Sequence, residues 1–159
     1  MVIGAQDNDM QRDYAYTVSR KASLLQSASA VGIDAAKATV DRLGARKINT
    51  ANVPVLLHRD IASSLFGHYV GAISGGSLYR RSSFLLDSLG KQVFPEWLNI
   101  EERPFIKGGL ASSSFDNEGV ACSDMTIVDA GKLATYLYTT YSSRKLNTRS
   151  NGHAGGIHN

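Results

Sequence analysis

The sequence predicts an α+β fold, a mixed or antiparallel sheet with helices packed on it. Three observations carry that prediction. Apolar residues recur at helical spacing through Ile33, Ala36, Val40 and Leu43, and a helical period returns through Ile61, Leu65, His68 and Ala72. Period-two alternation marks Asp13 to Arg20 near the start, and Met125 to Val128 with Leu133 to Tyr141 near the end. No internal repeat and no long linker separates these segments, so one α+β unit is expected over residues 1–159.

The elements follow in order. DYAYTVSR, Asp13 to Arg20, alternates aromatic and polar residues as a half-buried strand does. Ser27 or Ser29 is placed to cap a helix running to about Leu43, where Gly44 ends it. VPVLL, Val53 to Leu57, reads as a short apolar strand, and a second helix starts at Asp60. Gly75 and Gly76 end or kink that helix, and SSFLLDSLGKQVF is a shorter helical or irregular stretch. Trp97 to Arg103 is a strand stopped by Pro104, and Ala111 to Glu118 is a loop. Asp129-Ala130-Gly131-Lys132 is a hairpin turn between two alternating runs. Tyr141 to Leu146 adds a helical turn, and SNGHAGGIHN closes the chain as a glycine-rich loop.

The second helix has an unusual face. Ser63, Gly67, Gly71 and Gly75 recur every four residues, leaving a stripe with almost no side-chain volume. Glycine inside a helix costs about 1 kcal/mol relative to alanine, so a compensating close contact is expected. That contact is either another backbone of the same domain, the preferred reading, or a partner subunit.

Bulk properties narrow the functional classes. Hydrophobic residues at 43% and charged residues at 19% describe an ordinary globular chain of 159 residues. Cys122 is the single cysteine, so no internal disulfide can form, which suits a reducing cytosol. No apolar run approaches the ~20 residues of a membrane helix, and the acidic MVIGAQDNDMQRD start lacks the apolar core of a secretory signal. A soluble, cytoplasmic protein is expected.

The net charge of +3 and pI near 9.1 gather at Arg42, Arg46 and Lys47, at Arg80 and Arg81, and at Arg144, Lys145 and Arg149. These clusters read as helix ends and solvated turns. Their alternative is a phosphate-binding surface on a regulatory or nucleic-acid-associated protein. No aromatic-interleaved RNA motif or DNA-reading helix accompanies them, so nucleic acid is not the expected partner.

A strand-like run feeding a helix with histidines invites comparison with a zinc peptidase. Such a helix places two neutral imidazoles on one face with a carboxylate to take the proton of water. From His58, a His-Glu-x-x-x-His pattern needs glutamate at 59 and histidine at 63, where the chain has Arg59 and Ser63. From His68, it needs them at 69 and 73, where the chain has Tyr69 and Ile73. Neither frame supplies the ligands. His68 is then read as a hydrogen-bonded core residue and His58 as a surface or capping residue. GAISGG lacks both the Lys-Ser/Thr ending of a phosphate loop and the spacing of Gly-x-Ser-x-Gly, so Ser74 is no nucleophile. Asp116 and Glu118 form a carboxylate pair whose ordinary role is turn-building. Glu101 and Glu102 are adjacent on a strand and face opposite ways. Cys122 has no activating base nearby in sequence.

His153 and His158 flank Ala154, Gly155, Gly156 and Ile157. Glycines let an extended peptide approach the backbone, and the imidazoles could align its carbonyl. His153, Gly155, Gly156 and His158 are therefore the candidate substrate-binding set. The competing readings are a structural turn, in which both histidines satisfy nearby carbonyls, and a metal site, for which no third or fourth ligand is visible.

FGHYVGAISGGSLYRRSSFLLDSLGKQVF, IEERPFIKGGLASSSFDNEGV and YSSRKLNTRSNGHAGGIHN, with DNDMQRDYAYT and DRLGARKI before them, closely resemble the PmbA (TldE) subfamily of TldD/PmbA proteins. The resemblance covers nearly the whole chain. It implies the central portion of a longer polypeptide, and a cytoplasmic, heteromeric metalloprotease that processes peptides, a microcin precursor among them. It also implies a TldD-like partner bearing the His-Glu-x-x-x-His zinc, with no cofactor on this chain, and a peptide as the substrate.

Overall fold

The computed structural model describes residues 1–158, the side chains at 59 and 60 excepted. The described chain divides into two compact units, Met1–Val55 and Leu56–Asn159, where the sequence reading expects one.

In the first unit, β1 (Val2–Gln6) and β2 (Asp9–Asp13) form an antiparallel hairpin in which Gln6 pairs with Asp9. The two loop residues, Asp7 and Asn8, have φ of 46° and 69°, the left-handed pair that a two-residue hairpin turn requires. That hairpin replaces the strand expected at 13–20, which forms no ladder beyond Asp13. Helix α1 (Ala28–Val40) starts where Ser27 Oγ accepts the Ala30 amide, as its sequence position suggests. It rests on the hairpin through Thr39, which is fully buried. The Thr39 hydroxyl donates to Ala35 O at 2.8 Å and lies 3.3 Å from Val2 O. Gly4 makes room for it, since a Cβ there would sit 3.1 Å from Thr39 Cγ2.

The second unit is built from α2 (Arg59–Ala72), α3 (Gly75–Tyr79), β3 (Ile100–Glu102), β4 (Met125–Asp129), β5 (Lys132–Leu133) and α4 (Thr140–Lys145). The antiparallel sheet has the order β3-β4-β5. Its β4–β5 turn, Ala130–Gly131 with φ of 45° and 77°, is the hairpin the sequence marks. Gly131 O accepts the amides of Val93 and Phe94, so the irregular 82–94 stretch is stitched to that turn. The core gathers Tyr69, Ile73, Leu78, Val128, Leu133 and Leu137.

Several expectations fail here for identifiable reasons. Val53 to Leu57 forms no strand and Leu56 is 99% exposed, because among the described residues no strand pairs with it. Helix α2 does not bury the stripe of Ile61, Leu65 and His68; Ile61 and Leu65 are 59% and 57% exposed, and His68 is exposed too. Its buried face instead runs through Tyr69, Ala72 and Ile73. The close packing expected at Gly67 and Gly71 is not formed within the described residues, where a Cβ at either would meet nothing within 4 Å. Ser63, on the same stripe, is exposed. Only Gly75 has the predicted tight neighbour. Leu137 N donates to Ile73 O and Gly75 N to Leu137 O, at 3.0 and 2.7 Å. A Cβ on Gly75 would then lie 2.7 Å from Ser142 Cβ on α4.

Candidate functional site: the loop at 151–158

β3 alternates as a strand must. Glu101 faces solvent and pairs with Arg103, while Glu102 turns inward and is 3% exposed. Its Oε1 accepts the backbone N–H of His158 at 2.6 Å and lies 3.2 Å from Nε2 of His153. The second contact is within ion-pair distance but off the line of a good hydrogen bond, since Nε2 has no directed partner.

Asp116 holds the other side of the loop. It is 4% exposed; its Oδ1 accepts the amides of Glu118 and Val120, and its Oδ2 accepts that of Ala154, each at 2.9 Å. Asn117 N closes the ladder onto Ala154 O at 2.9 Å. Burial alone would raise the Asp116 carboxyl, but the three backbone donors and nearby His153 outweigh it and hold it below the usual carboxylate range. Turn-building, the plainer of the two readings from sequence, describes Asp116 well. Glu118 is used separately: its carboxylate accepts Thr140 N at 2.7 Å at the start of α4.

His158 and Cys122 touch, with Nε2 and Sγ 3.1 Å apart. No base beside the thiol is legible in the sequence. However, the same Nε2 lies 3.0 Å from Gly152 O, which can only accept, so Nε2 carries the hydrogen and is a donor. Burial, then the negative charge of Asp116 and Glu102, pushes the Cys122 thiol up. The pair is a neutral thiol against a donating imidazole.

The structure thus brings His153 and His158 together, with ring centroids 5.7 Å apart, but gives them different positions. His153 is buried, His158 is half-buried, and Gly155 and Gly156 are exposed. Gly155 and Gly156 have φ of 102° and 119°, open to glycine and strained for other residues. Beside them, Phe66, Tyr69, Val70, Ile100, Ile127 and Ile157 line an apolar cleft of about 340 Å³, with Glu102 at its edge. The Tyr69 hydroxyl is buried without a partner among the described residues, and burial, with Tyr136 nearby, pushes it up to about 12. Glu102 and Asn151 are the functional residues missed in sequence. The one available signal for Glu102 is that one of two consecutive strand acids must face inward.

The two His-Glu-x-x-x-His frames bring no ligand set together. Tyr69 and Ile73 belong to the core, Ser63 is exposed, and the side chain at 59 lies outside the described residues. In the loop, His153 Nδ1 faces Asn151 and His158 Nε2 faces Gly152, which leaves one ring nitrogen of each without a directed partner in these contacts. Among the described residues no group of three His, Cys, Asp or Glu side chains is arranged to hold a metal.

Comparison with known proteins agrees with this architecture. The chain is 54% identical over 158 residues to the metalloprotease PmbA of Escherichia coli O157:H7, covering 99% of this chain and 35% of that protein. It is 52% identical over the same length to a PmbA homolog of Haemophilus influenzae, again covering 35% of the relative. The chain therefore spans about a third of the length of these curated relatives. The crystal structure of a candidate modulator of a DNA gyrase from Thermotoga maritima superposes with a TM-score of 0.86 at 27% identity, over 98% of this chain and 36% of that one. The sequence profile of the PmbA/TldA metallopeptidase C-terminal domain matches residues 50–159, and the chain belongs to that family.

Proposed function

We propose that this chain is part of a PmbA/TldE-like subunit of a TldD/PmbA-type metalloprotease, acting in proteolysis and peptide maturation. In this reading the zinc and the chemistry reside on a TldD-like partner in a cytoplasmic complex, and this subunit supplies surface that holds the peptide. The observation that carries the proposal is the apolar cleft next to exposed Gly155, Gly156 and Ile157, on a loop fixed from below by Glu102 and Asp116. Such a loop offers backbone to an extended peptide, and the cleft offers space for an apolar side chain. His153 and His158 then serve by shaping the loop. No helix among the described residues is long and apolar enough to cross a membrane.

Ile157, 47% exposed at the cleft, gives the test. Ile157→Asp in the full-length protein, assembled with a zinc-bearing partner, places a charge where an apolar side chain would sit. Peptides with a large apolar residue should show KM raised about tenfold with kcat nearly unchanged, the scale of one lost apolar contact. An unaltered KM would remove the loop and cleft from the substrate path.

A further inference from the structure

Helices α3 and α4 lie against each other and end alike. After α3, Arg81 N donates to Leu78 O and Ser82 N to Ser77 O, both at 2.9 Å. After α4, Asn147 N donates to Arg144 O and Thr148 N to Ser143 O, at 3.4 and 2.8 Å. Each cap turns the chain through one left-handed residue, a place that glycine or asparagine ordinarily fills. Asn147, with φ of 53°, follows that preference, whereas Arg81, with φ of 56°, does not. A long side chain in this conformation strains the backbone where glycine would not, which directs attention to what the guanidinium faces.

Arg81 lines a groove of about 340 Å³, together with Leu78, Leu86 and Leu146 on its apolar side and with Tyr79 and Asp87. Tyr79 also packs edge-on against Tyr141, with ring centroids 5.6 Å apart. Arg80 Cζ stands 5.4 Å from the Tyr79 centroid and Lys145 Nζ 5.6 Å from that of Tyr141, close enough for each ring to hold its cation. The Tyr79 hydroxyl feels this charge. Its hydrogen bond with Arg80, opposed by desolvation and joined by Tyr141 and Lys145, keeps it below the usual phenol range. Arg80, Arg81, Tyr141 and Lys145 are all exposed. Among the described residues none of these three cations forms an ion pair, and Asp87 is the one carboxylate lining the groove. The surface is therefore aromatic, net positive and unneutralised.

We propose that this end of α3 and α4 is a docking surface for an acidic segment of a protein partner, whose carboxylates meet Arg80, Arg81 and Lys145 while one large apolar side chain enters the groove. Two features favour a polypeptide over a nucleic acid. The cations form one short cluster, whereas a phosphate backbone is held by a positive track along its length. Beside that cluster the groove is lined by leucines, which suits an apolar side chain. The surface shares no lining residue with the cleft beside the 151–158 loop, so the inference does not depend on the peptide-holding reading.

The test is fluorescence anisotropy on the full-length protein with a labelled peptide in which glutamates flank a phenylalanine. A lysine-flanked peptide and a single-stranded oligonucleotide are measured beside it. The acidic peptide should bind saturably, and its affinity should fall as salt is added. Arg80→Glu combined with Lys145→Glu should weaken it by about tenfold, and serine in place of the peptide's phenylalanine by about as much. Arg81→Gly should weaken binding by about threefold without lowering the unfolding midpoint, because glycine accepts that backbone conformation. A weakening in that variant cannot come from a damaged fold. Absence of saturable binding, affinity left unchanged by either variant, or oligonucleotide binding as tight as that of the acidic peptide would overturn the proposal.

Discussion

Asp116 uses one carboxylate to organise two segments, its own turn and the backbone at Ala154. Removing the acceptor strands three backbone N–H groups, two part-buried and one buried, and each unmet donor costs about 1–3 kcal/mol. Asp116→Ala should therefore destabilise the full-length protein by about 3 kcal/mol or more in denaturant unfolding, with loss of order centred on 116–120 and 151–158. The pH dependence has a definite sign. Because the folded carboxyl lies below its ordinary 3.8, its stabilisation is complete above that value and is lost as pH falls through the folded value. Asp116→Asn should flatten this acid slope. An unchanged acid midpoint would mean that the carboxylate charge contributes nothing to holding the loop.

Gly75 gives the corresponding prediction for elements. It starts α3 against α4, and a Cβ there would lie 2.7 Å from Ser142 Cβ and 3.0 Å from Tyr138 Cδ1. Ser142 belongs to the capping box that starts α4 with Thr139, so it cannot move freely. Gly75→Ala should destabilise by about 1–3 kcal/mol through overpacking. Gly71→Ala, measured beside it, meets open space among the described residues, so a loss of similar size there would point to contacts from outside this chain.

The elements also show what the sequence could tell. Ser27 and the Ala130–Gly131 turn are local signals, complete within a few residues, and both act in the structure as they read, whereas α1 ends at Val40, short of Gly44, which takes φ of 72° in the turn that follows. The alternating run at 13–20 and the apolar run at 53–57 state only that a strand would be tolerated. A ladder also needs a partner, and the Asp7–Asn8 turn had already paired 2–6 with 9–13. The sequence places helix α2 but not its buried face, because its apolar residues lie on two faces and only tertiary contact chooses between them. The same limit applies to the site. The 151–158 loop is visible as glycine and histidine, whereas its support Glu102 comes from a distant position that only folding joins.

At the scale of the whole molecule, the chain spans about a third of the length of its curated relatives and carries the C-terminal-domain signature of a metallopeptidase family. We propose for it a division of labour, with a shaped loop and cleft on this subunit and zinc on another. Elsewhere the small-residue face of α2 and the exposed apolar run at 53–57 leave surface that the described residues do not cover. The most direct measurement is peptidase activity and bound zinc for the full-length protein, alone and after assembly with a TldD-like partner. The account predicts no stoichiometric zinc and no cleavage for the protein alone, and chelator-sensitive cleavage once the partner is present. Robust chelator-sensitive cleavage by the protein alone, with zinc retained through dialysis, would contradict it.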